Sequence, residues 1–407
     1  MASSKLFSLE GKGLKLDTAE DIQPHIQELK DNADVEEVRF LGNTLGIGAS
    51  EALAEVLATK KNLQVANFAD IFTARLLAEI PPALDAILKA LLALPNLHTI
   101  NLSDNAFGLN TQAPLVSFLA SHTPLEHLIL NNNGLGPNAG TLIANALTTL
   151  AEKKRAANSP PLRTVVCGRN RLENGSMAAW AKAYASHGSV TSIKMVQNGI
   201  RQEGIVHLLK EGLKGTPGLQ ILDLQDNTFT AKGARALADV ISEWSDLKEL
   251  GVGDCLLSAR GGVMLGEALR AGKNKELEVL RLQYNDVDFK TVKLLADIQD
   301  FVPRLRRVEL NGNKFSEEDV NIDRLRESLE ARKDQAGAKE DDEWGLDELD
   351  ELDDDSDEEE DDDEAEDEDE EEAVVLKEAD EAEEENVPLE ESATVDKLAD
   401  LLGKTGI

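Results

Sequence analysis

Two short stretches hold the side chains best placed to do chemistry. In NFADIFTARLLAEIPP (residues 67–82) an aspartate, a threonine and an arginine, Asp70, Thr73 and Arg75, fall within six positions. A guanidinium there offers a fixed positive fork to anionic oxygens, of a carboxylate or of a phosphate. In LEHLILNNNGLG (residues 125–136) three asparagines run together. Each amide can donate and accept at once. Motifs for self-contained catalysis are missing: there is no H-E-x-x-H, no paired C-x-x-C and no G-x-S-x-G, and the whole chain has 6 His. Gly403-Lys404-Thr405 imitates the end of a phosphate-binding loop, but Leu398 stands where the motif needs its first glycine. No nucleotide site, metal site or cofactor of its own is therefore expected.

What must position these stretches is a repeat. The second one reads L-x-x-L-x-L-x-x-N-x-L-G: a strand-like alternation followed by a turn signal. Its asparagine recurs at Asn43, Asn105, Asn133, Asn170, Asn198, Asn227, Asn285 and Asn313, with Ile71 and Cys255 at two equivalent positions. Neighbouring positions are 28 residues apart in most cases, at the long end of the leucine-rich range of roughly 20 to 29. The second half of each unit has helical apolar spacing. The expected fold is an α/β leucine-rich-repeat solenoid, a horseshoe of about eleven strand-helix units of the long, ribonuclease-inhibitor-like type, with parallel strands inside and helices outside. Longer gaps precede Asn105 and Asn170. The first is expected to be mostly a lengthened helix over residues 80–95, and the second a polar loop over residues 151–161.

Within such a fold the recurring asparagines have a structural duty, bonding backbone groups that burial would leave unpaired, worth about 1 to 3 kcal/mol each. Departures from the repeat are where function can show. Asn131 and Asn132 precede the ladder residue Asn133 and are not needed by the ladder; Asn132 falls on the rim. Asp70, Asp104, Arg169, Asp226 and Asp254 each stand one residue before a ladder position or its equivalent, so they should project along one rim that could meet a basic partner. The bland alternative makes them solvated turn residues, with Arg75 a solvated arginine in an irregular unit.

Charge divides the chain. Of 78 acidic and 42 basic side chains, 34 acids and one lysine, Lys377, lie in residues 340–392, so that segment carries 33 of the 36 net negative charges. With so little apolar content it should be a disordered tail. The expected division is 1–335 for the repeat domain, 336–394 for the tail and 395–407 for a short amphipathic, helix-capable end. Cys167 and Cys255 fall at inward positions and read as core thiols, as suits a reducing compartment. No run of apolar residues suggests a signal peptide or a transmembrane helix, and no nucleic-acid contact is expected.

The blocks NFADIFTAR, NLSDNAFG, PLEHLILNNNGLGP, CGRNRLENGS, VQNGIR, LDLQDNTFT, GDCLLSARG, LRLQYN and ELNGNKFSEED, followed by an acidic tail, resemble the GTPase-activating proteins of the small GTPase Ran in their fungal form. The resemblance implies a protein that stimulates hydrolysis of Ran-bound GTP, with GTP and Mg2+ carried by the GTPase. In that family an asparagine of an N-N-G-L-G motif orients the GTPase's own catalytic glutamine, and an arginine of a D-I-F-T-x-R motif is required without entering the site as a finger. Matched residue by residue, these catalytic roles fall on Asn132 and Arg75. Partner contacts then fall to Asp70, Asp104, Arg169, Asp226 and Asp254. The resemblance also implies a protein acting in the cytoplasm to give nucleocytoplasmic transport its direction, with nuclear-envelope attachment and a Ran-binding accessory protein left open; the capped solenoid ends, residues 14–29 and 320–329, make a largely monomeric state the expectation. Acidic leucine-rich proteins that bind histones share the layout but have fewer, shorter repeats and lack D-I-F-T-x-R. Ribonuclease-inhibitor-like scaffolds share the long repeat without the tail.

Overall fold

The computed structural model describes residues 4–339 and 343–353. Strands form where the sequence alternates, and they are short. In most of them a buried central residue stands between half-buried neighbours, as Leu128 does between His127 and Ile129. Twelve strands join one parallel sheet in strict chain order, beginning at Leu6–Ser8 and ending at Gly345–Leu346. Equivalent positions lie opposite one another, so Ile100 faces Leu128 and Leu128 faces Val165. Every strand of this sheet but the last is followed by helix before the next, which gives the eleven strand-helix units of the expected solenoid. A second, two-stranded parallel pair, Lys15–Leu16 with Thr44–Leu45, lies near the N-terminal end. Between sheet and helices runs a continuous apolar core, including a file of rings in which Phe40 stacks on Phe68 at 5.2 Å.

Asparagines knit adjacent units at the strand ends. The Asn133 side-chain oxygen accepts the Asn105 backbone N–H at 2.9 Å, and its amide nitrogen donates to the carbonyls of Leu102 and Leu130, both at 3.1 Å. The same link runs from Asn133 to Asn170 at 2.9 Å and from Asn170 to Asn198 at 3.0 Å. Cys255 replaces the amide with a thiol that donates to Gly253 O at 3.3 Å, and Ile71 simply buries its side chain while its N–H reaches Asn105. Burial pushes the Cys167 thiol up to about 12, and Cys255 is raised as well; both are free.

Three expectations need correction. Before Asn105 residues 80–92 are helix as expected, but at 13 residues this helix is little longer than the 11-residue Ile47–Leu57, and the extra residues lie mainly in the loop 68–79. Two prolines in its first turn, Pro81 and Pro82, leave no room for the helix to extend backwards past Ile80, so the added length stays in the loop. Before Asn170 the opposite holds: residues 151–157 are not a loop but the last two turns of a 22-residue helix, Gly136–Ala157. AEKKRAA contains only good helix formers. The helix stops at Asn158, which turns left-handed at φ 50° ahead of two prolines.

The third correction concerns the tail boundary. Helix Val320–Ala336 ends at Gly337, but residues 343–353, placed by composition in the tail, are seated on the last repeat. Gly345–Leu346 pairs with Arg307–Glu309, and the Asp347 carboxylate accepts the N–H groups of Leu310 at 2.8 Å and Asn311 at 3.0 Å. Leu349 is buried, Asn311 donates to Asp350 at 2.8 Å, and the Tyr284 hydroxyl donates to Glu351. A final strand with open backbone groups needs a cover. Trp344, Leu346 and Leu349 supply an apolar pattern that the surrounding acids mask. The rest of the acidic run, and the segment 395–407, lie outside the described residues.

Candidate functional site

One backbone conformation builds the candidate rim. Asp70, Asp104, Asn132, Arg169, Asp226 and Asp254 all have positive φ, between 46° and 61°. The ladder residue that follows each must turn inward, so the chain bends sharply just before it. That bend is left-handed, a region Asn and Asp enter more readily than other L residues. Each bent residue is also fixed to the next unit: the N–H of Asp104 donates to Asn131 O and that of Asn132 to Gly168 O, both at 2.9 Å, and that of Arg169 to Val196 O at 2.8 Å. Gln197 and Tyr284 take the same conformation at the same offset, and Gly42 and Gly312 complete the row. Gln197 and Tyr284 carry no charge to mark them in the sequence; only their offset from the ladder does.

The run of three asparagines resolves into three separate duties. Asn133 is buried in the ladder. Asn131 clamps the neighbouring unit, its side-chain oxygen accepting the Gly168 N–H at 2.7 Å while its own N–H donates to Ser103 Oγ at 3.1 Å. Gly168 has to be glycine, since a Cβ there would come within 2.9 Å of Val196 O and 3.2 Å of the Asn131 oxygen. Asn132 alone is exposed, and its amide nitrogen donates to Asp104 Oδ1 at 2.8 Å. Loop residues Leu76, Leu77 and Leu109, from the two preceding units, are exposed apolar side chains.

Arg75 behaves differently from a solvated arginine. Its side chain is 5% exposed and turned toward the N-terminal end. Nε donates to Thr44 Oγ1 at 2.7 Å, Nη2 to the carbonyls of Thr44 at 2.9 Å and Leu16 at 3.2 Å, and Nη1 pairs with Asp17. The guanidinium therefore ties the loop 68–79 to both strands of the small N-terminal pair. Asp70, in the same loop, accepts a hydrogen bond from Thr73. Farther along, Asp226 is half-buried; burial, and next the neighbouring Asp254 carboxylate, raise it above the ordinary carboxylate value against a hydrogen bond from Gln197. Arg169 and Asp254 are exposed.

A leucine-rich repeat family model matches residues 219–238. Over 335 residues the chain is 41% identical to Ran GTPase-activating protein 1 of Saccharomyces cerevisiae, covering 80% of this chain and 82% of that protein. The chain belongs to the Ran GTPase-activating protein family. It is 34% identical to the Ran GTPase-activating protein of Drosophila melanogaster over 77% of this chain, and 43% identical to Ran GTPase-activating protein 2 of Caenorhabditis elegans over half of it. It spans 53% and 22% of the lengths of those two animal relatives.

In this Ran GTPase-activating protein family member, Asp104 and Asn132 are brought into direct contact, and Asp226 and Asp254 into mutual repulsion. Arg75 is not brought to Asn132. Its loop leads to the rim two strands before that of Asn132, roughly 10 Å away at about 4.8 Å per strand, and the guanidinium points away from it along the sheet.

Proposed function

We propose that this protein stimulates GTP hydrolysis on the small GTPase Ran, by positioning the GTPase's own groups and not by inserting an arginine. Family membership carries the choice of partner. Phosphoryl transfer needs the attacking water aimed and the charge on the phosphate oxygens offset. Asn132 is suited to the first task because it is exposed, held on a rigid bend and free of the ladder. Its amide would engage the catalytic glutamine of Ran. Arg75, with its guanidinium spent on Thr44, Leu16 and Asp17, would have to abandon every one of those contacts to reach a phosphate. Its role in this reading is to hold the N-terminal repeats in shape.

In this reading GTP and Mg2+ come with the partner. The rim acids Asp70, Asp226 and Asp254, with Arg169, contribute orientation and association rate. Acting as a monomer in the cytoplasm, the protein would keep Ran in its GDP form and so give nuclear transport its direction, with a Ran-binding accessory protein able to join the complex. The acidic tail adds long-range attraction that fades with salt. Because residues 343–353 cover the last repeat, a truncation to test the tail should begin at residue 354.

The deciding experiment is single-turnover hydrolysis of Ran-bound GTP with the wild type and Asn132→Ala, with circular dichroism of both. The expected result is acceleration by several orders of magnitude, mostly lost in a variant that stays folded. A wild type without effect on Ran would sink the reading.

A further inference from the structure

Resting on that reading, we propose that Asp104 is the positioning residue that decides which end of the Asn132 amide faces the GTPase. An ionised carboxylate only accepts hydrogen bonds. With Asp104 Oδ1 2.8 Å from the Asn132 amide, the end turned toward it has to be the nitrogen, because the flipped amide would set two oxygens against each other. The Asn132 side-chain oxygen is thereby left facing outward with its lone pairs available. What it fits is a donor of N–H groups, such as the primary amide of a glutamine. A glutamine that donates its NH2 to Asn132 keeps its own carbonyl oxygen to accept a proton of the attacking water. The water's oxygen lone pair is then turned toward the phosphorus.

Both partners are held for this task before any GTPase arrives. Asp104 and Asn132 come from adjacent strands 28 residues apart, sit on bends with φ 61° and 51°, and have their backbone N–H groups tied at 2.9 Å to Asn131 O and Gly168 O. Neither side chain needs the other for the ladder, which runs through Asn105 and Asn133. Preorganisation of this kind acts on the rate and not on binding, since it aims a group needed only as the reaction proceeds. Asp104 thus has a task apart from the charge complementarity assigned to the other rim acids.

Two readouts on the full-length chain test the proposal. In single-turnover hydrolysis of Ran-bound GTP, Asp104→Ala should lower the saturating rate about tenfold or more and change the half-saturating concentration less than about twofold. Asp104→Asn, whose amide can accept the same bond or, flipped, donate to the Asn132 oxygen, should fall between the wild type and Asp104→Ala. A raised half-saturating concentration with an unchanged saturating rate, or equal losses in both variants, would overturn the proposal in favour of a charge contact. The second readout needs no partner: with 15N-asparagine labelling, the Asn132 side-chain NH2 signal, identified by its loss in Asn132→Ala, should be ordered in the wild type and mobile in Asp104→Ala. A signal already mobile in the wild type refutes the pairing whatever the protein does to Ran. An ordered signal in a protein that leaves Ran unaffected would uphold the pairing and refute the function.

Discussion

Replacing Arg75 by alanine separates an arginine that shapes the solenoid from one that enters the chemistry. The guanidinium makes three hydrogen bonds to neutral acceptors, Thr44 Oγ1, Thr44 O and Leu16 O, and one ion pair to Asp17. At about 1 kcal/mol for each of the three, and little for the pair because Asp17 is 47% exposed, the loss is about 3 kcal/mol. It falls on the junction of Lys15–Leu16 with Thr44–Leu45, where the Thr44 N–H bonds Leu14 O at 2.9 Å and the Gly46 N–H bonds Leu16 O at 2.7 Å. Local opening should rise by about two powers of ten, since 1.4 kcal/mol is tenfold. Hydrogen exchange of the Thr44 and Gly46 amides measures this directly, with the Asn132 and Gly168 amides as internal controls that should not change. If Arg75→Ala loses activity while Thr44 and Gly46 keep their protection, the arginine acts on the reaction itself and the reasoning fails.

Other outcomes follow from single sites. Asn170→Ala removes a side chain that accepts the Asn133 N–H and donates to Leu130 O and Gly168 O, at 2.8 to 2.9 Å, so chemical denaturation should show a loss of about 2 to 3 kcal/mol; a loss under about 0.5 would mean that water replaces the amide. His187 is pushed down to about 4, by burial first, and its Nε2 bonds Leu147 O at 2.9 Å. Because its folded value lies below the unfolded one, near 6.5, the unfolded chain binds more protons between them, and stability falls as pH drops through that window by at most about 3 kcal/mol. His187→Gln should flatten this slope, and an unchanged profile would place the acid sensitivity elsewhere. Asp347→Ala frees the N–H groups of Leu310 and Asn311, which should exchange about tenfold faster; unaltered exchange would show that residues 343–353 do not depend on that carboxylate.

The repeat was legible in the residues because a solenoid is nearly one-dimensional: each unit meets only its neighbours, so one local pattern, written again every 28 residues or so, specifies strand, ladder and register together. Asn133 could be assigned to the ladder, and Asn132 to the rim, by counting alone, and the left-handed bend at Asp104 or Asp226 follows from the same offset. Partner choice could not be read this way. Whether Arg75 faces solvent or folds back on Asp17, 58 residues earlier, depends on what a neighbouring unit places within reach of a long side chain. Composition also misled where a local average hid a specific contact. The charged residues 151–157 form helix because Ala151 and Lys154 find buried places, Lys154 donating to Thr123 O and Pro160 O at 2.7 Å. Acid-rich residues 343–353 are ordered because the last strand offers open N–H groups that Asp347 satisfies. The period alone determined the solenoid and its ladder. Only the tertiary structure decided that Asp104 holds Asn132 and that Arg75 turns away, because lateral contacts across units depend on side-chain reach and geometry that no spacing along the chain encodes.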